Sequence, residues 1–207
     1  MVKTTALDQI TLYDLEQQWG LEMSTDPNFF TEWQENLPVL TAVECQQLQR
    51  VEAAYNNLEK RALLEEIVKL AVVSPLLNLA GFFLAPFYIE TEKSIEITVE
   101  NDDFVLRGRI DILVVCDRVW VLTIESKRGE FSLKVGIPQV LSYMLAAPTN
   151  QKMLYGMVTN GGSFIFLKLV RGDRLLYGRS KLFILGQDNG LEQTLQVMKH
   201  LAEILQD

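Results

Sequence analysis

The sequence predicts an α/β fold: a mixed sheet with helices on its faces, preceded by an N-terminal helical extension. Three observations carry this. Residues 94–100 alternate Ile95, Ile97 and Val99 with polar neighbours, the pattern of a half-buried strand. Residues 104–116 and 119–126 become nearly continuous in apolar residues, as central strands do. Helical spacing of apolar residues flanks these strands at 61–81, 138–147 and 191–205.

Residues 1–60 form the expected extension and 61–207 the main domain. Helical spacing runs from Thr11 to Trp19, and Asp26-Pro27-Asn28 makes a turn. Phe29, Phe30 and Trp33 form an aromatic knot suited to packing on the main domain. Thr41-Ala42-Val43-Glu44 is a capping-box signature, followed by an apolar stripe of Val43, Leu48, Val51, Ala54, Tyr55 and Leu58. The next helix starts near Arg61, is kinked at Pro75 and stops at Gly81. Asp117-Arg118 joins two strands as a tight hairpin. After the helix from Pro138, strands are expected at 153–158 and 164–170, joined by the turn Thr159-Asn160-Gly161-Gly162. Arg171-Gly172-Asp173 is another turn, and an amphipathic helix closes the chain. The order is helix, three strands, helix, two strands.

A chain of 207 residues with 48% apolar and 22% charged residues can bury a sizeable core. No apolar run approaches the ~20 residues of a membrane span. Met1-Val2-Lys3-Thr4-Thr5-Ala6 lacks an apolar leader segment, so the expected address is the cytoplasm. Cys45 and Cys116 do not form a metal-ligand pattern and read as buried or incidental thiols. The net charge of −8 conceals an asymmetry. Residues 1–101 hold 6 Lys and Arg against 16 Asp and Glu, whereas residues 102–181 hold 12 against 7. Local field decides whether a polyanion can approach, so nucleic acid stays a candidate partner.

The lone histidine, His200, lies in the last helix, far from any nucleophile-like sequence, which leaves Ser–His and Cys–His mechanisms without support. There is no Gly-rich phosphate loop, and zinc would lack ligands. Carboxylate chemistry remains. Asp111 stands in one apolar strand, and Glu125-Ser126-Lys127 stands at the end of the next. Strand side chains alternate faces, so Glu125 and Lys127 project to the same side. Two carboxylates and an ammonium at that point can hold a hard metal ion and its water. Charges on buried strands are costly unless paired or metal-bound, and such groups are commonly functional. Arg107 and Arg109 share the face of Asp111 and are candidates for phosphate contacts or for charge partners of the acidic cluster. Arg128, Lys134 and Lys168 are further basic-patch candidates.

Asp111 with Glu125-Ser126-Lys127 resembles the signature of the PD-(D/E)xK nuclease superfamily, the restriction-endonuclease-like fold. Gln139 and Tyr143, in Pro138-Gln139-Val140-Leu141-Ser142-Tyr143, resemble the Gln-x-x-x-Tyr motif of RecB-type members. Glu65, ten residues before Pro75, resembles the helix glutamate of that group. Thr159-Asn160-Gly161 with Phe164-Ile165-Phe166 is similar to a hairpin in the N-terminal nuclease domain of type I restriction enzyme R subunits. The resemblance covers about residues 60–185.

It implies a role for each residue. Asp111, Glu125 and the Ser126 carbonyl would chelate Mg²⁺ or Mn²⁺, and Glu65 would join them directly or through water, with Glu66 as the alternative. Lys127 would orient or deprotonate the attacking water, and Gln139 and Tyr143 would support the site or touch the substrate backbone. DNA is the implied substrate. A homodimer would suit cutting of both strands, and no membrane partner is expected. The sequence departs from the pattern at Ile110, where a proline is common, and in having no helicase motor, so no use of ATP is expected. An alternative is a catalytically inactive module of the same fold, binding nucleic acid or a protein through its acidic N-terminal helices.

Overall fold

The computed structural model describes residues 3–61, 63–98, 104–117, 119–129 and 132–205, with side chains for all of these but 3–6, 8, 98 and 104–106. Val99, Glu100 and Arg118, which the sequence places in a strand and a turn, lie outside the described residues.

The architecture is α/β, a mixed sheet with flanking helices, as the sequence predicts. Nine strands are found among the described residues: β1 (Lys3–Ala6), β2 (Leu21–Met23), β3 (Phe87–Thr98), β4 (Phe104–Cys116), β5 (Val119–Ser126), β6 (Met153–Thr159), β7 (Ser163–Arg171), β8 (Leu175–Arg179) and β9 (Phe183–Ile184). The main path through the sheet is β1-β4-β5-β6-β7-β8-β2, with β3 on β4 and β9 on β7. β1–β4, β5–β6 and β2–β8 are parallel and the other pairs antiparallel. β4 and β5 begin and end where the apolar pattern predicts. β1, β2, β8 and β9 were not expected. β1 and β2 show that the N-terminal segment, read as helical, also pairs with the sheet.

Each face of the sheet carries its own core. On one, α2 (Ala42–Leu58) and α6 (Gly190–Ile204) cover Val114, Leu122, Ile124, Met157 and Phe166. They are joined there by a helix built of α3 (Glu65–Val68), a π segment (Lys69–Val73) and α4 (Ser74–Leu79). On the other face, α1 (Leu12–Trp19) and α5 (Gly136–Leu145) cover Leu113, Val115, Leu154, Leu167 and Leu169. α5 sits close because Gly156 faces Val140, where a Cβ would collide with the valine. No helix among the described residues is long and apolar enough to cross a membrane.

Local signals explain most boundaries. Thr11 and Thr41 each close a capping box, with Asp14 and Glu44. Val43, expected in the apolar stripe of α2, is exposed, because the buried face of that helix runs through Leu48 and Val51. The helix expected from Arg61 begins only at Glu65. Ahead of Pro75 it loosens into the π segment, where Ser74 N–H donates to Lys69 O, five residues back. Gly81, at φ 84°, ends it as expected, with Phe82 N–H bonded to Leu77 O at 3.0 Å.

The strand pairing of β4 creates the feature that matters most. β3 runs along one edge from Val105 to Cys116. The other edge is divided: β1 pairs with residues 104–107, and β5 only with 112–116. Residues 108–111 therefore face a fork between β1 and β5. Leu7 fills its base against Gly108, where any Cβ would stand 2.5 Å from Leu7 Cδ1. The alternation of faces also breaks here: Ile112 packs into the first core and Ile110 into the second. The partner strand is distorted opposite Asp111, with Glu92 at φ 54° and no Glu92–Asp111 pair in the register.

Candidate active site

The fork opens into a cleft of about 440 Å³ that gathers Glu65, Arg107, Arg109, Asp111, Glu125, Lys127, Gln139 and Tyr143, with Glu92. Eight residues singled out in the sequence thus meet in one place, carried there by α3, β4, β5 and α5. Glu65 rather than Glu66 faces the cleft, and Glu66 is exposed.

β5 delivers the centre of the site. Its apolar residues from Trp120 to Ile124 are buried, and Glu125 follows at 4% exposure. Lys127, two residues on and on the same side, donates to Glu125 Oε1 at 2.7 Å and to Gln139 Oε1 at 2.8 Å. Because a lysine can only donate, the amide oxygen of Gln139 must face it, leaving Nε2 to donate to Tyr143 Oη at 2.5 Å. The Tyr143 hydroxyl in turn donates to the Arg109 carbonyl at 2.9 Å. Burial and the Glu125 charge push the Tyr143 phenol far up, so it stays a donor. One chain of hydrogen bonds therefore ties β5, α5 and the open edge of β4 together.

Asp111 is held by two groups. Ser126 N–H donates to Oδ2 at 2.8 Å, and Lys69 Nζ lies 2.8 Å from Oδ1. Lys69 was missed in the sequence, since it belongs to no motif and meets Asp111 only through the fold. Burial by itself would lower the Lys69 ammonium, but bonds to Asp111 and Glu92 outweigh it and hold it above its ordinary value. Burial pushes Glu125 up to about 7, the Asp111 charge adds to this, and Lys127 offsets it only in part.

Glu125 Oε2 and Ser126 Oγ are buried with no hydrogen-bond partner. Such an oxygen is costly unless something else meets it. Among the described residues no three His, Cys, Asp or Glu side chains are grouped so as to hold a metal ion. The donor set is instead two carboxylates with hard oxygen atoms. That fits a Mg²⁺-like ion, which commonly takes one or two carboxylates and completes its shell with water and substrate phosphate.

The remaining basic candidates divide. Arg107 and Arg109 line the cleft but are paired, with Glu96 at 2.8 Å and Glu92 at 2.7 Å. Arg128 is exposed and does not line it. Lys134 lines a different cavity. Lys168 belongs to no basic patch: it is buried and bonded to Glu32 at 2.5 Å, and Tyr155 donates to the same oxygen at 2.7 Å. Trp120 and Tyr155 are core residues. Cys45 and Cys116 are free thiols, Cys116 buried.

No protein-family model and no curated protein matches the chain. Among solved structures it is similar to a fragment assigned as an HsdR subunit of a type I restriction enzyme from Vibrio vulnificus YJ016. That likeness has 21% sequence identity and a TM-score of 0.38, and covers 51% of this chain and 21% of the other.

Proposed function

We propose that the chain is a divalent-metal-dependent deoxyribonuclease that hydrolyses phosphodiester bonds. The observation that carries this reading is the buried, partnerless Glu125 Oε2 beside Asp111 and Lys127 in an open cleft. Asp111, Glu125 and the Ser126 carbonyl would hold Mg²⁺ or Mn²⁺, and Glu65 is the cleft carboxylate available to join them. The cation, when bound, supplies stabilisation of charge developing on the scissile phosphate and acidity to the attacking water.

The chain's own residues do the rest. Lys127, fixed between Glu125 and Gln139, presents an ammonium that orients the water and meets the anionic phosphate. Gln139 and Tyr143 hold Lys127 in place through their bond to the β4 backbone. Arg107 and Arg109, on the exposed rim, are charges that an incoming strand can draw away from Glu96 and Glu92. Recognition would run mostly through phosphates.

A second reading, an inactive module of the same fold, is favoured by the Lys69–Asp111 and Lys127–Glu125 pairs, which already neutralise both carboxylates. The test is incubation with Mg²⁺ or Mn²⁺ and labelled single-stranded, duplex and circular DNA, with RNA alongside. Cleavage of DNA that falls at least about 100-fold in Lys127→Ala supports the nuclease. No cleavage, together with no metal-induced rise in melting temperature, sinks it.

A further inference from the structure

A second cavity of about 490 Å³ lies between the segment that follows β5 and the strands β7 and β8. Lys134, Arg179 and Lys181 line it, over an apolar floor that includes Ile137, Ile165 and Leu182. Among the described residues no carboxylate lines it. The three cations are exposed, and none has a carboxylate partner among the described residues. In a chain of net charge −8, whose cleft cations are paired with acids, three cations without a carboxylate partner are gathered around one hollow, Lys181 also lying over the Phe183 ring. Unpaired like charges repel one another, and an anion is the group that relieves them.

Segments that carry the cavity wall are bonded to those that carry the cleft. Lys127 N–H bonds to Thr159 O at 2.8 Å, and Asn160, on the cavity wall, donates to Gly129 O at 3.2 Å. The helix that brings Gln139 to Lys127 brings Ile137 to the cavity. Gly136, at the start of that helix, lies beside the Lys127 stem: an added Cβ would stand in contact with its Cε at 3.5 Å.

We propose that this cavity is a subsite for the substrate strand beyond the scissile bond: Lys134, Arg179 and Lys181 hold backbone phosphates and the apolar floor takes a base or sugar. The inference rests on the nuclease reading for what lies in the cleft, but strand binding can be measured apart from cleavage. The test is fluorescence anisotropy with labelled single-stranded DNA in EDTA, from about 50 to 200 mM salt. Wild type, the control Lys60→Gln at an exposed cation outside both hollows, and the triple variant Lys134→Gln, Arg179→Gln, Lys181→Gln are compared, each checked by thermal melting. All three substituted cations are exposed, and the single variants stand in should the triple variant melt early.

The triple variant is expected to bind about tenfold or more weakly, with a salt slope shallower by about two, since each single-strand phosphate contact contributes about 0.7. Unchanged affinity and slope in the charge-neutralised variants overturn the subsite, even where wild type cleaves. Wild-type binding that the triple variant loses, with no cleavage by either, supports the strand site and removes the nuclease reading. A melting-temperature rise with 5′-dAMP alone, with no binding of the strand, overturns it in favour of a free nucleotide.

Discussion

Lys69 Nζ lies 2.8 Å from Asp111 Oδ1, joining the helix ahead of the sheet to the strand at the fork. The side chains are 19% and 13% exposed, so the pair is poorly screened. Lys69 also reaches Glu92 at 3.2 Å, the residue whose left-handed backbone distorts β3 opposite Asp111. The ammonium supplies at Asp111 the positive charge that a divalent cation would otherwise bring.

Lys69→Met should therefore separate stability from metal binding. Without metal, the unpaired Asp111 costs about 1–3 kcal/mol, read as a fall in melting temperature. The rise produced by Mg²⁺ or Mn²⁺ should be larger than in wild type, because the cation no longer displaces a lysine. Asp111→Ala should abolish that rise. An unchanged metal response in Lys69→Met would contradict the competition.

Glu125 makes stability depend on pH. Its carboxyl titrates near 7 in the fold against an ordinary 4.5, so the folded state holds the extra proton between those values. Stability therefore declines as pH rises from 4.5 to 7 and is level with respect to this group above. Glu125→Gln should remove the dependence, gaining about 1–3 kcal/mol at pH 8 and little at pH 4.5. Because a proton competes for the same oxygen atoms, metal affinity in the wild type should rise through pH 7. Melting curves at a series of pH values check both.

Tyr143→Phe should cut the hydrogen-bond chain at its fixed end. The Arg109 carbonyl and Gln139 Nε2 lose their partner, and Lys127 loses its brace. The expected result is a kcat lower by about 10- to 100-fold with KM little changed, since misplacement rather than lost binding is at fault. A proportional rise in KM would instead place Tyr143 on the substrate.

Arg171 holds the other end of α5. Its guanidinium donates to the carbonyls of Met144, Leu145, Ala147, Pro148 and Gln151, closing the C-terminus of the helix that carries Gln139. Lysine keeps the charge and loses the planar fork. Arg171→Lys is expected to cost about 2–4 kcal/mol, seen as a fall of about 5–15 °C in melting temperature.

Much of the site was legible because its signals are local. Alternation along β5 puts Glu125 and Lys127 on one side, and a single helical turn puts Gln139 beside Tyr143. The neighbouring apolar strand pointed to Asp111, the resemblance added Glu65, and both line the cleft. Lys168 went astray for the opposite reason. Its partner Glu32 is 136 residues away, and nothing near either residue announces the pairing. The strands β1 and β2, of four and three residues, are too short to show a period of their own.

By itself the sequence determined the elements whose patterns are written into neighbouring residues: the two central strands, the capped helices, and the acidic and basic residues that those strands and helices carry. Only the tertiary structure decided that β4 is shared by β1 and β5, so that a fork opens at Asp111. It also decided that Lys69 fills the charge there, and that Arg179 and Lys181 join Lys134 around a separate cavity. The physical reason is range. Periodicity and capping act over a few residues, whereas strand order and buried charge pairing are set by packing between segments that the chain places far apart.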